Sequence, residues 1–320
     1  MPSWPATSYA AVVPNPVVPA DLIQPSEEVA TALSEKRAVV ALESTVYSNL
    51  GLPTPENERA LRECIDAIRS SGAVPCVTAI IDGVIRAGLE DPEYERVLGE
   101  AKKVAERDIS VAVGQAWDVG ATTVSASLAI AQATGISVFA TGGVGGVHRE
   151  AEKTGDVSAD LGAIARYRAL TVSAGIKSFL DLARSLELLE TLGATVVGWQ
   201  TDMLPSFTAR SSGQPVPHRV DTMDELVAIA RTRLAFDRGM LIANPVPEEF
   251  ALDQELHDNA LAAALVDAAN AGIEGASITP FVLERIVEAS GGASVAANVA
   301  LVANNARLAG QLSRALEAEA

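Results

Sequence analysis

Lys177 stands in the stretch TVSAGIKSFLDLA (171–183), between an apolar run that stops at a glycine and a segment with apolar residues at helical spacing. That spacing predicts a helix over 178–191, with the amine at its start, just past the carboxyl end of a strand. A helix N-terminus disfavours a cation by ~0.3–1 kcal/mol. The same field lowers an amine's pKa and makes it a better nucleophile. A lysine that bends away into solvent is the plainer reading. Glu43, in AVVALESTVYSNLGLPTPEN, directly follows another apolar run. A carboxyl there is either a general acid with a pKa raised by burial or a structural acceptor for backbone N–H groups.

The stretch FATGGVGGVHREAEKTGDVSAD (139–160) places four glycines after a strand, then His148 and Arg149. Glycines let backbone N–H groups approach an anion, and His and Arg add charged donors. A plain tight turn is the alternative. The spacing fits neither GxGxxG nor GxxxxGK[ST], so neither a dinucleotide fold nor a P-loop is supported. Asp156 and Asp160 lie four apart at the start of an expected helix. They read as an N-cap with an acidic first turn, or as oxygen donors for Mg²⁺ or Mn²⁺. Asn298, Asn304 and Asn305 interrupt an apolar helix near the end of the chain. Buried amides need partners, so they imply ligand recognition or polar helix–helix contacts.

The elements that must position these groups are legible in the pattern. AVVAL (38–42), VPCVTAII (74–81), ISVFAT (136–141), LTVSA (170–174), ATVVGW (194–199) and GMLIAN (239–244) are nearly continuous in hydrophobicity, as strands of a buried parallel sheet are. Amphipathic helical stretches lie between them at 56–71, 122–134, 157–167, 178–191 and 222–234. IIDGVIRAG (80–88) carries an Asp-Gly turn, hence a small β-hairpin edging the sheet. The fold class expected is α/β: three-layer α/β/α with a mostly parallel sheet and right-handed crossovers. Ligands then bind beyond the carboxyl ends of the strands, where the unusual polar residues fall. Residues 1–26 are proline-rich and aperiodic and read as an extended arm, with 27–320 as a single domain.

Composition bounds the function. Net charge is −17 and the pI is near 4.6, which argues against nucleic-acid or anionic-membrane partners. Hydrophobic residues make up 48% but aromatics only 4%, so the core must be built from Ala, Val, Leu and Ile. Cys64 and Cys76 form no zinc or redox spacing and read as buried fillers. No signal-like segment or run of 18 apolar residues appears, and a cytoplasmic location is expected.

Taken together, VVALEST, GAVPCVTAIIDG, GATTVSAS, VFATGGVGGVHR, DVSADL, SAGIKSFLDL, GWQTDMLPSF, ANPVPEEF and GGASVAANVALVANNA resemble the pseudouridine-5′-phosphate glycosidase family, in family order over roughly 38–310. The resemblance implies Lys177 as a Schiff-base nucleophile and Glu43 as proton donor. It implies Asp156 as the single protein ligand of a divalent metal, Mn²⁺ or else Mg²⁺. Lys103, Val124, Ser158, Ala159, Asp160 and Asn298 are implied as substrate contacts, and the family is similar in being trimeric. His148 and Arg149 are assigned to the 5′-phosphate on chemical grounds. Where the family commonly reads ESTIISHGMP, this chain has ESTVYSNLGLP, and Glu150 replaces a common glycine.

The reaction so implied releases uracil and ribose 5-phosphate from pseudouridine 5′-phosphate. A C-nucleoside has no oxygen to protonate at its glycosidic carbon, unlike ordinary glycosides. A lysine imine at C1′ supplies the electron sink. Two alternatives stand beside it. The same machinery run toward synthesis would join ribose 5-phosphate to a uracil-like or aromatic carbon. A ribose-phosphate sensor would need neither Lys177 nor Glu43.

Overall fold

The computed structural model describes residues 18–273 and 278–318, the side chains of residues 279 and 280 excepted. Eleven strands are present among them: β1 (Ile23–Pro25), β2 (Val39–Leu42), β3 (Val74–Ile81), β4 (Val84–Ala87), β5 (Lys102–Val104), β6 (Val119–Thr122), β7 (Val138–Ala140), β8 (Leu170–Ser173), β9 (Thr195–Trp199), β10 (His218–Val220) and β11 (Met240–Ala243). Seven form the main sheet in the order β3-β2-β7-β8-β11-β9-β10, every pair parallel. The six strands expected from apolar runs are its centre.

Helices cover both faces, and alternate strand residues point into separate cores, as the two-residue repeat of a strand requires. Val39, Ala41, Phe139 and Leu241 pack toward the helices Val124–Thr134, Ala159–Arg166 and Leu182–Thr191. Val40, Leu42, Val138 and Ile242 pack toward Glu56–Ser70, Met223–Ala235 and Ala293–Ala318. With so few aromatics the interior is filled by fully buried Ile68, Ile130, Leu161 and Ile164. Truncating such a residue to Ala costs roughly 2–5 kcal/mol. Cys64 and Cys76 are both fully buried, and burial pushes their thiols up to about 12.

The expected hairpin is present: Ile81 faces Val84 and Thr78 faces Ala87 in an antiparallel pair. It belongs to a larger unit than the sequence suggested. The carboxyl half of the eight-residue β3 also pairs antiparallel with β6, which pairs with β5, while β4 pairs with β1. Ile23–Pro25, within the stretch read as an arm, is therefore a strand, and Ser26 caps the helix Glu27–Ser34. Residues 1–17 of that arm lie outside the described residues. No single described helix is long and apolar enough to cross a membrane.

Candidate active site

Glu43 is the first residue beyond β2 and is only 7% exposed. The turn that carries it is pinned by buried hydroxyls. Ser44 Oγ lies 3.1 Å from Thr122 Oγ1, Thr122 Oγ1 lies 2.8 Å from Thr78 Oγ1, and Thr45 Oγ1 donates to the Thr122 carbonyl at 2.7 Å. The Thr141 hydroxyl, just past β7, donates to Glu43 Oε1. Burial raises the Glu43 carboxyl from 4.5 to about 7, against the opposing pull of Lys177, of the Thr141 hydrogen bond and of Lys103. The raised acid expected from the sequence is therefore what the geometry gives.

Lys177 is placed differently from expectation. The helix begins at Leu182, not at 178, and its N-cap is Asp181, whose carboxylate accepts from Arg184 N–H. Between strand and helix the chain runs beside the glycine loop: Ile176 bridges to Val144 and Asp181 to Val147. Gly175 makes that departure possible. It sits at φ +77°, and a Cβ there would lie 2.3 Å from the Pro205 carbonyl oxygen. The helix-end field falls off within one turn, so it does not act on Lys177. Charged side chains surround the lysine instead: both Glu43 and Lys103 feel its charge. Lys103 lies on β5 and keeps part of its surface in water. Partial desolvation, then the Lys177 charge, lower its pKa.

The glycine loop also differs in detail. Gly145 N–H donates to Asp160 Oδ2 at 2.9 Å, and Ser125 N–H donates to Asp160 Oδ1 at 3.1 Å. The loop thus wraps an anion of the protein itself. A Cβ on Gly145 would stand 2.2 Å from Ser158 Oγ and 2.8 Å from Asp160 Oδ2, so only glycine fits. The cap of the helix Ala159–Arg166 is Ser158, which accepts from Asp160 N–H; Asp156 is not the cap. Asp156 is half-buried instead, with a carboxylate oxygen 3.5 Å from His148 Nδ1. Desolvation, and then the charges of Lys103 and Lys177, pull His148 below its ordinary pKa against the pull of Asp156. Arg149 is exposed and its Nε donates to the Phe179 carbonyl at 3.2 Å. Glu150, where glycine is common, holds φ +61°. Val124, only 2% exposed, opens its helix, and Ala159 opens the helix Ala159–Arg166.

The three asparagines divide. Asn305 Nδ2 donates to the Thr141 carbonyl at 2.8 Å and its Oδ1 accepts from Asn244 at 2.9 Å, tying the last helix to the loop that carries Thr141. Asn304 Nδ2 reaches the Pro245 carbonyl at 3.3 Å. Asn298 Oδ1 is buried without a partner among the described residues, and Asn298 lines a cavity of about 60 Å³ together with Ser178. Leu52 and Pro53 of the altered loop line the same cavity, as does Phe207, a buried residue at φ +58°. Left-handed backbone at a bulky residue stores roughly 1–3 kcal/mol of strain and gathers at functional sites. A larger concavity of about 610 Å³, lined by Lys36, Arg37, Arg168 and Arg231, lies toward the opposite strand ends and holds none of the candidate residues.

Sequence reasoning missed Thr141, although a polar residue directly after a strand was the signal used for Glu43. It also missed Thr208 and Ser294, which share the cavity, and His257 behind Thr208.

Comparison with known proteins matches these features to one group. The family model described as "Indigoidine synthase A like protein" covers residues 28–315. A pseudouridine-5′-phosphate glycosidase of Myxococcus xanthus is 48% identical over 294 residues, 90% of this chain and 96% of that protein. One of Caldanaerobacter subterraneus subsp. tengcongensis is 45% identical, covering 90% of this chain and 94% of that protein. A solved structure of the prealnumycin C-glycosynthase AlnA in complex with ribulose 5-phosphate superposes with a TM-score of 0.85 at 36% identity, covering 93% of this chain and 97% of that one.

Proposed function

The chain belongs to the indigoidine synthase A like family, and on that premise we propose that it is a pseudouridine-5′-phosphate glycosidase, cleaving the C-glycosidic bond to uracil and ribose 5-phosphate. One observation carries the chemistry: a buried carboxyl, Glu43, raised to about 7 and set within the field of a lysine at a strand end. An acid with a pKa near working pH is suited to proton transfer.

In the reaction, Glu43 gives its proton to the ribose ring oxygen while Lys177 Nζ bonds to C1′ and the C1′–O bond breaks. The new C1′–NH₂⁺ group then returns a proton to the Glu43 carboxylate, and that proton adds at C5 of the base. The C1′–C5 electron pair returns to the base ring as the Lys177 nitrogen lone pair closes a C1′=N bond. Water hydrolyses that imine, freeing Lys177 and ribose 5-phosphate. Asp160 ties the glycine loop to the start of the helix Val124–Thr134, accepting from Gly145 N–H and Ser125 N–H, while Lys103 and Arg149 supply charge and His148 a hydrogen-bond donor for the 5′-phosphate.

Asp156 would hold a divalent cation, Mn²⁺ or Mg²⁺. Among the described residues its half-buried carboxylate has His148 as its titratable neighbour, and no group of three His, Cys, Asp or Glu exists. That donor set fits a hard ion that keeps most of its ligands as water, not a structural zinc. When bound, the ion supplies positive charge beside an anionic substrate. A homotrimer in the cytoplasm completes the reading, and sedimentation analysis measures the assembly.

The second reading is C-glycosynthesis, favoured by the likeness to the C-glycosynthase structure and by the altered 46–52 loop. The relatives named glycosidase are closer, at 45–48% against 36% identity. The test is incubation with pseudouridine 5′-phosphate and Mn²⁺, following uracil release. Uracil with ribose 5-phosphate in equal amounts is the expected result; an unchanged substrate defeats the glycosidase reading.

A further inference from the structure

We infer that Thr208 and His257 form a specificity-determining pair, in which the imidazole orients the Thr208 hydroxyl to donate to a carbonyl oxygen of the base; the inference rests on the glycosidase reading. Thr208, Ser294, Asn298 and Ser178, the residue that follows Lys177 in the chain, are the polar lining of the cavity. At about 60 Å³ the cavity has room for more than one water molecule. Ser294 is 6% exposed, and both its Oγ and Asn298 Oδ1 are buried without partners among the described residues. Buried polar atoms in a native structure are ordinarily satisfied, so two orphans on residues that line one cavity point to an occupant.

Thr208 is 3% exposed, and its hydroxyl lies 3.3 Å from Nδ1 of the fully buried His257, whose Nε2 has no partner among the described residues. Burial keeps the ring neutral by lowering its pKa. A neutral ring has two tautomers. With the proton on Nε2, a buried N–H donor is left with nothing to bond; with the proton on Nδ1, only an acceptor lone pair is orphaned. Orphaned buried N–H groups are the rarer case. His257 therefore donates from Nδ1 and Thr208 Oγ1 accepts. The hydroxyl hydrogen of Thr208 then has no acceptor among the described residues, and Thr208 lines the cavity.

The cavity thus offers a donor from Thr208, an acceptor from Asn298 Oδ1 and a two-way hydroxyl from Ser294. Its complement is a heterocycle with a carbonyl beside an N–H. An all-carbon aromatic ring would leave all three groups unpaired, which strongly disfavours binding.

The test uses the synthetic direction, joining ribose 5-phosphate to uracil, 2-thiouracil or 4-thiouracil, since sulfur is the poorer acceptor. The native enzyme should prefer uracil to at least one thio analogue about tenfold. Thr208→Val and His257→Leu should erase that preference and raise KM for pseudouridine 5′-phosphate about tenfold. His257→Asn, which keeps a donor near the Nδ1 position, should retain the preference. Borohydride trapping of ribose 5-phosphate should be equal in all variants. If Thr208→Val melts like the native protein yet keeps its KM and its preference, the pair has no such role and the glycosidase reading stands. Should Thr208→Val fail to fold, equal behaviour of His257→Leu and His257→Asn overturns the inference. If the native protein neither traps the sugar nor releases uracil, the reading itself fails and takes the inference with it.

Discussion

In the Glu43→Gln variant an amide of nearly the same shape replaces the carboxyl, keeping an oxygen for the Thr141 hydroxyl but holding no proton to give. Burial raises this carboxyl from 4.5 to about 7, and a difference of that size corresponds to about 3 kcal/mol. The folded carboxyl binds its proton to higher pH than the unfolded one. Native stability is therefore complete below the unfolded value and falls as pH rises through about 7, by up to about 3 kcal/mol. The glutamine has no charge to bury, so the variant should escape that loss. Catalysis should move the other way: near pH 7 the native acid is about half protonated, where an unshifted carboxyl would be so in only roughly 0.3% of molecules. Native kcat/KM should fall about tenfold per pH unit above 7, and the variant should cleave at least ~10²-fold more slowly at the optimum. Urea unfolding at about pH 4.5 and about pH 8.5, which bracket the window between the unfolded and folded values, beside a pH–rate profile, reads both effects. A variant that cleaves at the native rate, or that loses stability with pH as the native protein does, refutes the reasoning.

Gly145→Ala forces a methyl against Ser158 and Asp160, and overpacking of that kind costs about 1–3 kcal/mol; lower melting temperature and more than tenfold lower kcat/KM are expected. Asp156→Asn should abolish Mn²⁺ binding measured by electron paramagnetic resonance while leaving the melting curve of the metal-free protein in place; undiminished Mn²⁺ binding would remove Asp156 from the metal site. Pseudouridine lacking the phosphate should lose several kcal/mol in kcat/KM if two or three charge-assisted bonds of ~1.5–3 kcal/mol each are forfeited. Equal kcat/KM for nucleoside and nucleotide would show that Lys103, His148 and Arg149 serve something else.

The main sheet was legible because its strands are buried on both faces and carry continuous apolar runs, as in VPCVTAII. The strands Lys102–Val104 and His218–Val220 were not, since each has three residues with two of them exposed. Glu43 was found by its place after a strand, and Thr141 follows the same rule but is too common a residue type to stand out. Lys177 was found for the wrong local reason: its segment carries helical spacing, yet the bridges at Ile176 and Asp181 hold it in a loop until Leu182. Tertiary pairing overrode periodicity there. The glycines were read as room for a ligand anion, whereas Gly145 serves Asp160, a contact that no local pattern encodes. Three asparagines in one helix left two roles open: Asn305 makes the polar contact, fixing a loop, while Asn298 lines a cavity.

The central claim is a covalent bond between Lys177 and C1′ of the sugar. Borohydride added to the protein with ribose 5-phosphate, followed by peptide mapping, tests it most directly. The expected result is one reduced adduct, on Lys177, absent from Lys177→Ala and present in Glu43→Gln, because free ribose 5-phosphate already offers an open aldehyde. An adduct on another lysine, or none on a protein that releases uracil, would contradict the account.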